Sequence, residues 1–268
     1  MRGSIPSPGA ATKRYGGNTP CVEIRCGDEL LIFDLGSGVR GLGEAYGRGP
    51  EPLKASIFLS HYHYDHLQGL PFFTPMFNPR NAFTVYGPTR NGAPVQQVLE
   101  GQMVQPYFPV TAKMVFRAQL QYRSVAAGDE LSIGGAKVTA VELNHPGGNL
   151  GYRVDYRGKS VVYATDVEHG PELDPRLAQF ARGADFLIYD AMYTEDEYLG
   201  KSGPPKTGWG HSTWEAAITA ANNAEVKTLV LFHHDPTRDD AGMEKMLKLV
   251  KKQRPEAIAA AESMVIRV

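Results

Sequence analysis

Apolar positions along the chain follow two rhythms. Short apolar or β-branched runs closed by turn residues predict strands at Cys21–Cys26 and Leu30–Leu35, joined by Gly27-Asp28, and at Ala55–Leu59 and Phe83–Tyr86. Further runs at Lys113–Gln121, Glu130–Ile133, Lys137–Leu143, Gly151–Tyr156 and Ser160–Tyr163 are broken by Gly128-Asp129, Gly134-Gly135 and Arg157-Gly158-Lys159, which predicts an antiparallel half. Ala55–Leu59 is apolar nearly throughout, the pattern of a strand buried on both faces. Helical spacing predicts helices over Ala93–Gly101, Pro175–Arg182, Thr213–Asn223 and Asp239–Lys252, the last with Met243, Met246, Leu247 and Val250 on one face. Asp185–Tyr189 and Val226–Phe232 read as buried strands, Met264–Val268 as a last edge strand, and residues 1–20 as an irregular loop. Strands mixed with helices, without a repeat or a low-complexity linker, predict an α/β fold with one domain over residues 1–268.

Composition narrows the classes. At 268 residues, 42% apolar and 21% charged, the chain is long enough for a large core and ordinary for a globular protein. A net charge of −1 gives no basic field for a polyanion, which sets an expectation against a long nucleic acid as main partner. No apolar run approaches the ~20 residues of a membrane span, and the first residues lack the apolar core of a secretory signal. A cytoplasmic location without membrane contact is the expectation. Cys21 and Cys26 sit at an odd spacing on a strand, on opposite faces, and read as thiols rather than a disulfide.

The chemistry concentrates in Ser60-His61-Tyr62-His63-Tyr64-Asp65-His66, directly after a strand. Two-residue alternation puts His61 and His63 on one side of an extended segment, where one metal ion can take both. Asp65 and His66 fall where the chain turns into a short helix ended by Pro71, and can serve a second ion about 3.5–4 Å from the first. Later in the chain an apolar strand repeatedly ends in His or Asp: His145 after Val138–Leu143, Asp166 after Val161–Ala164, and His233-His234 after Thr228–Phe232. His211 stands just before a helix. Strand ends converge on one rim, where α/β folds build sites. Asp166 can be a turn residue or a carboxylate shared by two ions, and His169 reads as a surface histidine. Phe72, Phe73, Tyr107 and Phe108, in proline-containing loops, can wall a pocket, stack on a base, pack on the core or cover a homodimer interface.

The Ser-His-x-His-x-Asp-His run after a strand, followed in order by His145, Asp166 and His233, resembles the metallo-β-lactamase superfamily of dinuclear hydrolases. The resemblance implies a four-layer αβ/βα sandwich of two mixed sheets flanked by helices. It implies one ion on His61, His63 and His145, a second on Asp65, His66 and His233, and Asp166 bridging both. His233 is thereby preferred to His234. Gly210-His211-Ser212-Thr213 followed by Glu215-Ala216-Ala217 is similar to the phosphodiesterase branch that includes tRNA 3′-processing endonuclease. There the matching His assists protonation at the scissile phosphate, a role that the resemblance carries to His211.

Two departures accompany it. Arg153–Lys159 is a tight hairpin without the long arm by which tRNA-processing members grip substrate, so the expectation is against tRNA. Relatives also carry an apolar strand before the Arg2-Gly3-Ser4 turn. The resulting expectation is a dinuclear hydrolase acting on a small phosphodiester such as a cyclic nucleotide. Zinc is the default ion and manganese or iron fit the same ligands. Asp65 would orient the attacking water and His211 would donate a proton. Thioester or lactone hydrolysis at the same ions is the alternative, and a non-catalytic metal-binding module a third reading.

Overall fold

The computed structural model describes residues 1–47 and 49–268, and the chain divides into two compact units. One consists of Thr19–Ala126 with Ile133–Gly135; the other of Met1–Asn18, Ala127–Ser132 and Ala136–Val268.

The first unit is built on a five-stranded sheet of β1 (Val22–Cys26), β2 (Glu29–Phe33), β3 (Lys54–Phe58), β4 (Ala82–Gly87) and β5 (Gln119–Ser124), in that spatial order. Gly27, at φ 64°, closes the antiparallel β1–β2 hairpin. The remaining pairs are parallel, so each needs a crossover. Helix α1 (Val39–Gly47) links β2 to β3; α2 (Tyr64–Leu67) lies between β3 and β4; α3 (Val95–Gly101) and α4 (Ala112–Val115) lie between β4 and β5. Both faces of the sheet are covered, as the apolar run at 55–59 anticipates. On one, Ile32, Ile57 and Val85 pack with Val39, Leu67, Phe73 and Leu99. On the other, Phe33, Phe58 and Tyr86 sit in register and stack at ring separations of 5.2 and 4.7 Å.

Two sequence expectations change here. The strand foreseen at Lys113–Gln121 is instead a helical turn, Ala112–Val115, followed by β5, which pairs parallel to β4 and does not open the antiparallel half. Short apolar runs such as Met114-Val115-Phe116 suit either state. Helix α1 is masked in the sequence by glycines, which lower helix propensity. Gly43 earns its place by packing, since an added Cβ would come to 3.0 Å from both Phe73 Cδ2 and Pro75 Cδ.

The second unit carries a seven-stranded mixed sheet in the order β12-β11-β10-β9-β8-β7-β6. Its strands are β6 (Glu130–Ile133), β7 (Ala136–Leu143), β8 (Asn149–Tyr156), β9 (Lys159–Ala164), β10 (Phe186–Asp190), β11 (Thr228–Phe232) and β12 (Ile258–Ala259). Strands β7, β8 and β9 form an antiparallel meander, whereas β9 to β12 run parallel. The helices are α5 (Pro175–Phe180), α6 (Glu195–Tyr198), α7 (Trp214–Asn223) and α8 (Asp240–Gln253). Ala217 and Ala221 of α7 and Met243, Met246 and Val250 of α8 bury against Val162, Leu187, Leu229 and Leu231. Thr213 caps α7 by accepting from Ala216 N at 3.1 Å, and Asp239 caps α8 by accepting from Gly242 N at 2.7 Å. Met264–Val268 is exposed and forms no strand; the sheet ends at β12. Alternating β-branched residues do not make a strand without a partner edge. Among the described residues no helix is long and apolar enough to cross a membrane.

In the first unit the backbone after β2 lies directly on the segment bearing Asp65 and His66. Leu35 N donates to His66 O at 2.8 Å and Gly69 N to Leu35 O at 2.9 Å. A Cβ on Gly36 would run into the Asp65 and Pro20 carbonyl oxygens. Gly36→Ala is therefore expected to lower stability by about 1–3 kcal/mol, as overpacking does. The loss should register as a lower denaturant midpoint at unchanged slope.

Candidate metal centre

In the first unit, β3 runs out into Leu59-Ser60-His61, and His63 precedes α2 with extended backbone. The His61 and His63 rings meet edge-on at 4.5 Å, and His61 and His66 lie 4.3 Å apart. His66 Nε2 is 3.4 Å from Asp65 Oδ2. Asp65, His61 and His66 are buried and His63 is exposed. Asp34, which follows β2 and is fully buried, orders this group. It accepts from Ser60 N and Ser60 Oγ, each at 2.8 Å, and its Oδ2 lies 2.7 Å from His66 Nδ1. Ser60 Oγ in turn sits 3.0 Å from His61 Nδ1. With their Nδ1 atoms engaged, His61 and His66 leave Nε2 as the nitrogen available to a metal ion, the arrangement of outer support that suits an imidazole ligand.

In the second unit the strand ends supply the rest. Asp166, Asp190, His211 and His233 are all buried, and one ligand atom from each lies within 4.8 Å of all the others. His233 Nε2 is 3.2 Å from Asp166 Oδ1, and the His211 and His233 rings stack at 4.9 Å. Asp190, the last residue of β10, places Oδ2 2.8 Å from His211 Nδ1 and 3.9 Å from His233 Nδ1. Thr165 Oγ1 donates to Asp166 at 2.7 Å, while Asn149 Nδ2 donates to the carbonyls of Thr165 and Asp166 and so pins that turn. His145 Nδ1 lies 2.8 Å from Gly210 O. His234 is outside the group; its ring is fully buried, and burial pushes its pKa well below the ordinary histidine value, so it is a neutral core imidazole.

Asp34, Asp166 and His233 share a backbone feature, positive φ of 62°, 55° and 55°. Such conformations are uncommon outside glycine and gather at functional sites. Each follows a strand and turns the chain sharply. Gly3 packs against the His233 ring so closely that a Cβ there would collide with it. Gly3→Ala should therefore displace His233 and weaken metal binding by about 10- to 100-fold, the loss typical when a ligand's support is disturbed. A competitive metal titration reads it; unchanged affinity would show that His233 is not a ligand.

Glu168 ties the segments together. Its carboxylate accepts from Gly208 N at 2.6 Å, Gly210 N at 2.9 Å and Tyr198 Oη at 2.7 Å. Its own backbone N donates to Asn144 O at 2.8 Å. Burial alone would raise its pKa, but these donors hold it below the ordinary glutamate value. Asp34, Asp190 and Glu168 are the residues that sequence reasoning passes over. For Asp34 and Asp190 the signal exists: each closes an apolar run, Leu31-Ile32-Phe33 and Leu187-Ile188-Tyr189, as the foreseen ligands do. Of the aromatic loops, Phe73 belongs to the core rather than to a base-stacking wall, whereas Phe72 and Tyr107 are exposed and Phe108 meets Phe72 edge-on at 6.3 Å. His169 is half-buried against the Tyr198 ring, not a surface residue.

A family model described as the beta-lactamase superfamily domain matches residues 33–234. The chain belongs to the metallo-β-lactamase superfamily. A ribonuclease Z from Pyrococcus furiosus is 27% identical over 262 aligned residues, covering 82% of this chain and 81% of that protein. Among solved structures, the metallo-β-lactamase fold protein YhfI from Bacillus subtilis covers all of this chain and 96% of its own at 18% identity and a TM-score of 0.69. Human tRNase Z, short form, covers all of this chain and 96% of its own at 21% identity and a TM-score of 0.67. The fold and the hydrolase class foreseen from sequence are those of this superfamily, whose members bind divalent metals. The expectation set against tRNA is overturned by relatives named ribonuclease Z along four-fifths of the chain. Net charge is a whole-chain sum blind to local fields, and a tight hairpin at Arg157-Gly158 closes only one place where a gripping arm could be inserted. The donors themselves, imidazoles and buried carboxylates without a thiolate, suit divalent zinc, manganese or iron. Carboxylates buried this closely call for a cation.

Proposed function

We propose that the two units act as a single dinuclear hydrolase domain that cleaves phosphodiesters. In this reading one ion would be held by His61, His63 and His145 and the second by Asp65, His66 and His233, with Asp166 available to both. Zinc is the first expectation, with manganese or iron compatible. Bound ions of this kind activate water at neutral pH and neutralise phosphate charge.

The chain's own groups carry the remaining steps. Asp65 orients the attacking water. His211 holds the proton that the leaving oxygen needs: Asp190 engages Nδ1 at 2.8 Å and fixes the ring, so Nε2 is the donating atom. This buried Asp190–His211 pair beside Asp166 and His233 is the observation that carries the phosphodiester reading, because ester or thioester cleavage has less need of a proton donor.

The name ribonuclease Z carried by sequence relatives supports RNA as the substrate. A cyclic nucleotide offers the same bond in a small molecule. The test is protein reloaded with zinc or manganese, incubated in parallel with a tRNA precursor bearing a 3′ trailer and with a cyclic nucleotide, and analysed for products. Cleavage of either supports phosphodiester chemistry and chooses the substrate; inertness toward both with two ions bound would favour a thioester or lactone.

A further inference from the structure

Trp209 is 54% exposed and stands two residues before His211. The loop that presents it is firmly held. Glu168 accepts from the backbone N of Gly208 and Gly210 on either side, Trp209 N donates to Lys206 O at 3.2 Å, and Lys206 N donates to Tyr198 O at 2.9 Å. Gly208 and Gly210 take φ of 81° and 85°, and a side chain on Gly210 would collide with His145. A large apolar ring is thus offered to solvent from a backbone that cannot fold it inward.

Lys206 completes the arrangement. Its Nζ lies over the Trp209 ring at 4.2 Å and over the Tyr193 ring at 5.9 Å, and Tyr193 lies 6.2 Å from the His211 ring. Among the described residues Lys206 makes no ion pair with a carboxylate, so its charge remains available to an anion. The lysine sits over the indole, and Trp209 remains 54% exposed beside it.

Building on the phosphodiesterase reading, we propose that Trp209 and Lys206 form its nucleobase subsite. The base next to the scissile phosphate stacks on the exposed indole of Trp209, and Lys206 sets its charge against the phosphate chain. Stacking tolerates any base, because every base has a π-face, and a pre-held aromatic ring loses little freedom on binding. The subsite therefore selects nucleotides over base-free phosphodiesters without reading sequence.

The sequence holds two tryptophans, and the other, Trp214, is 7% exposed. Fluorescence quenching by ligand in solution accordingly reads Trp209. In titrations of the metal-loaded protein, thymidine 5′-monophosphate should quench the emission and ribose 5-phosphate should not, and Trp209→Phe should remove the signal. Equal quenching by both, or none by either, overturns the proposal, whether or not the protein is a phosphodiesterase. In kinetics, Trp209→Ala should lower kcat/KM for thymidine 5′-(4-nitrophenyl) phosphate about 10-fold more than for methyl 4-nitrophenyl phosphate, the scale of one lost base stack. Trp209→Phe should restore most of the difference, and Lys206→Ala should raise KM for the thymidine diester with little change in kcat. Equal falls on the two diesters would assign Trp209 a structural role and overturn the subsite.

Discussion

Replacing His211 by alanine will lower kcat on a natural phosphodiester by about 10²- to 10⁴-fold, the range that a positioned proton donor supplies. The expectation rests on the buried contact of Nδ1 with Asp190 at 2.8 Å, which fixes the ring and turns Nε2 toward the reaction. It also predicts a dependence on the leaving group. A nucleotide alkoxide must be protonated as it departs, whereas 4-nitrophenolate leaves unaided. His211→Ala should thus cost far more on an RNA or cyclic nucleotide than on a nitrophenyl diester, and Asp190→Asn should lie between wild type and His211→Ala. Metal content measured on the same samples completes the test. Full metal occupancy with the leaving-group dependence supports the donor role; loss of an ion would make His211 a ligand, and equal losses on both leaving groups would remove the donor role.

The second large effect is at Asp65. Asp65→Ala should reduce turnover to background and weaken metal binding by more than the roughly 10- to 100-fold that loss of a supporting residue costs. Asp34→Asn should fall within that supporting range, since Asp34 contacts Ser60 and His66 and would act on a bound ion through them. Circular dichroism separates either result from unfolding. Undiminished turnover in Asp65→Ala would remove the proposed mechanism, and equal metal affinities in the two variants would erase the distinction between ligand and support.

His61, His63, Asp65 and His66 are legible in the sequence because their spacing is local and one strand end presents them all. His145, Asp166 and His233 are legible for a different reason: each closes an apolar run. Asp34 and Asp190 close apolar runs too, yet a carboxylate that orients a histidine is indistinguishable from a turn aspartate until the partner, 32 and 21 residues away, is placed beside it. Glu168 carries even less signal, because its role lies in backbone N–H groups 40 and 42 residues later. In the fold, most of the sheet strands follow from alternation and apolar runs. Helix α1 is hidden by glycines needed for close packing, and α4 by apolar residues that suit a strand equally well. The aromatic loops mislead through composition, which cannot separate the buried Phe73 from the exposed Phe72 beside it.

The left-handed conformations of Asp34, Asp166 and His233 bear on how this protein responds to selection. Each is of the strained kind that costs of order 1 kcal/mol, a cost that glycine would relieve. All three side chains are buried and partnered, so glycine there would lose more in cavity and orphaned partners than the strain it relieves, and a screen scored on melting temperature alone should retain them. Selection for heat resistance and selection for turnover should therefore act in the same direction at these three codons.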